Sequence, residues 1–94
     1  MAGDAVSDLP GLGPKSRAIL AQAGIGSVEE LRRVGAVAAY VRARRVSPRV
    51  SLNLLWGLEA ALTGMPWQEV ARQERTRLLL AVDDCERLAQ RTRA

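Results

Sequence analysis

The chain has 94 residues and a mass of 10.2 kDa, with 48% apolar and 26% charged residues, which allows one globular domain with a modest core and excludes the disordered class. It contains no His and a single Cys, Cys85, so a His-dependent nucleophilic triad, a four-ligand structural zinc site and an internal disulfide are all excluded. The formal charge is +4, yet residues 32–49 alone hold six Arg and no acid, and a positive field concentrated in this way suits a phosphate-bearing or acidic partner.

No segment alternates in the manner of a strand, whereas helical punctuation recurs. Residues 1–8 read as a flexible N-terminus. Leu9-Pro10-Gly11-Leu12-Gly13 reads as a tight turn, and Pro14, its φ already preset, opens a first helix through Ala23. Ala18, Ile19, Leu20 and Ala23 lie along one side, and Gly24 suits a left-handed stop. Ser27 followed by Glu30 predicts a capping box for a second helix. Its Val28, Leu31 and Val34 face inward, Glu29 and Arg33 form an i,i+4 pair, and Gly35 ends it.

The third helix spans Ala36 to about Arg45, with Val37, Tyr40 and Val41 inward and Arg42 and Arg45 outward. Arg44 falls nearer the apolar side, where its stem can cover the core. Val46-Ser47-Pro48-Arg49-Val50 is a connector, because Pro48 disfavours helix at Ser47. Ser51 caps a fourth helix that runs to about Thr63 and stops at Gly64. Leu54, Leu55, Leu58, Ala61 and Leu62 fill one broad arc of it, and Leu52, Trp56 and Ala60 cover much of the rest, the pattern of a central, buried helix. Met65-Pro66-Trp67 makes the next break, with Trp67 plugging the corner. A fifth helix extends from about Gln68 to Gln90 on a stripe of Val70, Leu78, Ala81, Val82, Cys85 and Leu88. Residues 91–94 are a frayed tail. The expected fold is therefore all-α: a compact five-helix domain over residues 9–90.

No window approaches the ~20 apolar residues of a membrane span, and the segment MAGDAVSDL carries acids where a signal peptide carries basic residues. A cytoplasmic protein with no membrane partner, metal or cofactor is expected. Cys85, on the inward stripe, reads as a small core hydrophobe. Asp83, Asp84 and Glu86 occupy the outer face of their helix, with Asp83 and Arg87 spaced as an i,i+4 pair. They lack the cleft that acid–base chemistry needs.

Chemistry concentrates at Gly11-Leu12-Gly13-Pro14-Lys15-Ser16-Arg17. A glycine-framed turn directly before a helix leaves backbone N–H groups free at the positive end of the helix dipole, a seat for a phosphate oxygen. Lys15 and Arg17 add charge, and Ser16 adds a hydroxyl donor. The arrangement resembles the hairpin of helix-hairpin-helix domains, which hold the DNA backbone without reading bases. Arg32, Arg33, Arg42, Arg44, Arg45 and Arg49 form a second cluster. Trp56 either packs against the fifth helix or marks a partner surface. Leu79 and Leu80 fall off the inward stripe and suit a partner or a weak homodimer contact. With aromatics at 3%, no row of base-stacking rings is available.

Four stretches in order resemble the C-terminal domain of the TfoX/Sxy family of competence regulators. They are Leu9-Pro10 with Leu12-Gly13-Pro14-Lys15-Ser16; Ala23-Gly24-Ile25 with Val28-Glu29-Glu30-Leu31; Gly35-Ala36-Val37-Ala38-Ala39-Tyr40; and Leu52-Asn53-Leu54-Leu55-Trp56 with Leu58-Glu59 and Ala61-Leu62. The resemblance implies a helix-hairpin-helix-like helical fold and a role near transcriptional activation of DNA-uptake genes.

Two functions compete. The first is a non-enzymatic, DNA-associated module that binds the phosphate backbone through Gly11, Gly13, Lys15, Ser16 and Arg17, with Arg42, Arg45 and Arg49 as a supporting basic face. The second is a protein–protein adaptor of the transcription machinery. There the hairpin is purely structural, and the Arg face or a Trp56–Leu79–Leu80 surface meets a DNA-bound regulator.

Overall fold

The computed structural model describes the backbone of residues 14–93 and the side chains of residues 15–88. The expected N-terminal segment and the turn at Leu9–Gly13, with Gly11 and Gly13, lie outside the described residues. The described residues form six helices: α1 (Pro14–Gln22), α2 (Val28–Val34), α3 (Ala36–Val46), α4 (Leu52–Thr63), α5 (Trp67–Gln73) and α6 (Arg75–Arg93). The all-α architecture is the one expected.

Local chemistry sets most boundaries. After α1, the Ile25 N–H donates to the Leu20 carbonyl at 2.8 Å and the Gly24 N–H to that of Ala21 at 3.1 Å. This is the paired closure of a Schellman cap, and it needs the left-handed φ of +86° that Gly24 supplies. Leu20 and Ile25, the two apolar residues of that cap, are both fully buried. At α2, Ser27 Oγ accepts from the Glu30 N–H at 3.1 Å, one half of the predicted capping box. The Glu30 carboxylate accepts from Arg33 at 3.3 Å, so Arg33 pairs three residues back rather than with Glu29. Ser51 stands at the N-cap of α4 but makes no side-chain cap bond.

Helix α3 is the hub: it packs against α1, α2, α4 and α6. Its inward face carries Ala36, Ala39, Tyr40 and Ala43, all buried, at i, i+3, i+4 and i+7, and the short alanines let neighbouring helices approach. Val37, expected inward, is only half-buried. Leu54, Leu55, Trp56, Gly57 and Leu58 of α4 are buried, so this helix is central as its composition implied.

The expected fifth helix is divided in two. Glu74 leaves helical geometry at φ −107°, ψ 3°, a bend that lets α5 lie on α4 while α6 lies on α3. Val70 and Leu78, on either side of it, are both fully buried. Arg77 secures the bend, donating to Glu74 at 2.6 Å and to Glu59 of α4 at 2.9 Å. Beyond Gln90, α6 continues to Arg93, since no Gly or Pro interrupts it. Two further expectations need correction. Trp67 is 46% exposed instead of plugging its corner, and Leu88 is 61% exposed instead of facing inward.

Candidate nucleic-acid interface

A half-open cleft of about 320 Å³ lies between the start of α1 and the α3–α4 connector. Lys15 and Ser16 reach it from α1; Ser47, Arg49 and Ser51 reach it from the connector, and Asn53 from the first turn of α4. Ile19, Val50 and Leu54 form its apolar wall. Among the described residues, no carboxylate lines it. Neither α1 nor α4 has an acid in its first turn, so neither helix supplies a counter-charge to the positive end of its own dipole. Pro48 holds the connector out of helix, and the Val50 N–H closes it by donating to the Ser47 carbonyl at 3.1 Å.

The arginines divide into two groups. Arg33, Arg44, Arg72, Arg77 and Arg87 each pair with an acid: Arg44 with Glu86 at 3.0 Å, and Arg87 with Asp83 and Asp84 at 3.0 and 2.6 Å. Among the described residues, Lys15, Arg32, Arg42, Arg45, Arg49 and Arg75 have no such partner, Arg75 lying instead over the Trp56 ring. The 32–49 cluster is thus partly neutralised, losing Arg33 and Arg44 to Glu30 and Glu86. Arg42 and Arg45 remain exposed on α3, one turn apart on one face.

Of the residues singled out for phosphate contact, the cleft gathers Lys15, Ser16 and Arg49. Arg17 is half-buried on α1 and does not line it, and neither do Arg42 and Arg45. Ser47, Ser51 and Asn53 were missed by sequence reasoning, although Ser47-Pro48-Arg49-Val50-Ser51 carries a visible signal: two hydroxyls flanking an arginine in a Pro-held connector.

The residues of the expected partner surface, Trp56, Leu79 and Leu80, differ in their exposure. Trp56 is only 3% exposed, and Arg75 sits 5.9 Å from the ring centre, a cation–π contact that covers it. Leu79 packs against the core, and Leu80 alone stays open at 63%. Cys85 is half-buried against the core, and the described residues hold no group of three or more potential metal ligands. Among those residues, no helix is long and apolar enough to cross a membrane.

The profile of the TfoX C-terminal domain matches residues 2–82. The chain belongs to the TfoX C-terminal domain family. The match spans α1 to α5 and the start of α6, and so contains every residue of the cleft. Comparison with curated proteins and with solved structures finds no significant match.

Proposed function

We propose that this TfoX C-terminal domain is a non-enzymatic, DNA-associated module that holds the phosphate backbone at the cleft between α1 and the α3–α4 connector. The observation that carries the reading is the convergence of Lys15, Ser16 and Arg49, from segments far apart in the chain, on one concavity that none of the described carboxylates lines. Arg42 and Arg45, unpaired among the described residues, extend the basic surface along α3, and Gly11 and Gly13, the expected backbone contacts, precede Lys15 in the chain and lie outside the described residues. Phosphate contacts of this kind position a protein without reading sequence, which fits a regulator that works on promoter DNA in the control of DNA-uptake genes. A non-enzymatic role is supported by the absence of His and, among the described residues, of any buried charged side chain, the usual source of a shifted acid–base pKa.

The exposed Leu80 and Leu88 of α6, at 63% and 61%, favour the second reading, an adaptor that meets a transcription protein. Fluorescence anisotropy with duplex DNA at several salt concentrations separates the two. If Lys15, Arg42, Arg45 and Arg49 each take one phosphate, the log–log salt slope is about −3.6, and Lys15→Glu with Arg49→Glu removes binding. Weak binding, indifferent to salt and to that double variant, would leave the adaptor standing.

A further inference from the structure

We infer that the cleft receives a strand's terminal nucleotide, unpaired and bearing a phosphate monoester, rather than a stretch of paired backbone. The inference rests on the phosphate-binding reading above and deepens it. Two features of the cleft lead to it.

The first is its apolar wall. A duplex turns phosphates and sugar edges outward and keeps its bases stacked inside, so a protein that holds only backbone needs cations, hydroxyls and amides. Lys15, Arg49 and the serines supply those. Ile19, Val50 and Leu54, in the same concavity, would stay wet beneath a duplex. An unpaired nucleotide brings a sugar and a base face that cover them, and burying apolar area is favourable. The volume of about 320 Å³ is at the lower end of small-ligand sites. Asn53, on the rim, offers both a donor and an acceptor, the pair that a base edge requires.

The second feature is the charge. Lys15 and Arg49 face one space that none of the described acids lines, a better match to a monoester, whose charge approaches two, than to the single charge of a diester. The cleft holds no aromatic ring, so it lacks the platform on which longer single strands stack. A chain end is the remaining fit.

The test compares three DNA hairpins of equal duplex length by competition anisotropy: blunt, with a short 5′ overhang ending in hydroxyl, and with the same overhang ending in phosphate. The phosphorylated overhang should bind about tenfold more tightly than the blunt form, with the hydroxyl overhang between them. Val50→Thr, which keeps the shape and adds a hydroxyl, should reduce that advantage to below about threefold. Equal affinity for all three hairpins would overturn the terminal-nucleotide site and leave the backbone reading intact. Binding to none of them would overturn both. An undiminished advantage in Val50→Thr would take the apolar wall out of the site and overturn the assignment.

Discussion

Arg44 ties α3 to α6: its Nη1 lies 3.0 Å from Glu86 Oε2, and its guanidinium carbon is 5.8 Å from the centre of the Tyr40 ring one turn earlier. One cation thus serves two partners, and it leaves the basic cluster that its sequence position suggested. Both side chains of the ion pair are partly solvated, at 43% and 33% exposure, so solvent screens the attraction. Glu86→Gln should cost about 0.5 kcal/mol and Arg44→Ala about 1 kcal/mol, the larger loss including the ring contact. Urea denaturation of both single variants and the double variant checks this: a coupling energy of several kcal/mol would mean the pair is far more desolvated than its exposure allows.

Tyr40 gives a pH signature. Burial raises its phenol pKa, Arg44 opposes the shift and Glu86 reinforces it. The unfolded phenol ionises near pH ~10 and the folded one higher. The resulting stability is therefore fully present below about pH 10 and is lost as pH rises from there through the folded value. As Tyr40 is the single tyrosine, phenolate absorbance reports it alone. The expected midpoint lies above ~10, and a midpoint at or below that value would contradict the burial of the ring.

Leu55 and Leu58 are both fully buried on α4. Truncating either to Ala should cost ~2–5 kcal/mol, the lost transfer energy plus that of the cavity left behind. Thermal unfolding reads this directly, and a melting temperature within a few degrees of the parent would show that α4 is not central.

Gly35 ends α2 and begins α3 in a single residue, its N–H donating to Leu31 at 2.7 Å and its carbonyl accepting from Ala39 at 3.0 Å. The joint requires φ +89°, ψ 157°, a region open essentially to glycine alone. A Cβ would meet no atom within 4 Å, so the cost of Gly35→Ala is backbone strain, about 1–3 kcal/mol. Gly26→Ala, equally uncrowded and without a positive φ, should change stability by less than about 0.5 kcal/mol. Equal effects in the two variants, measured by denaturant unfolding, would rule out the strain argument.

The helix ends were legible because they are decided within a few residues. Gly24, Gly35 and Gly64 adopt the positive φ their positions implied, Ser27 caps α2, and Pro48 breaks the chain after α3. The apolar character of α4 likewise announced its central place. The amino-acid order alone therefore determined an all-α fold and the neighbourhood of its positive charge.

Tertiary structure decided what depends on residues distant in the chain. The bend at Glu74 has no Gly or Pro to signal it. It exists because α5 packs on α4 and α6 on α3, and Arg77 of α6 bridges back to Glu59 of α4. Which arginines stay free depended on whether a carboxylate arrived from elsewhere, as Glu86 does for Arg44 and none of the described acids does for Arg49. The cleft exists only because α1 packs beside the connector, so that Lys15 and Arg49 share one space. Helix caps follow from interactions spanning a few bonds, whereas charge pairing and concavity depend on distances that only the packed chain sets.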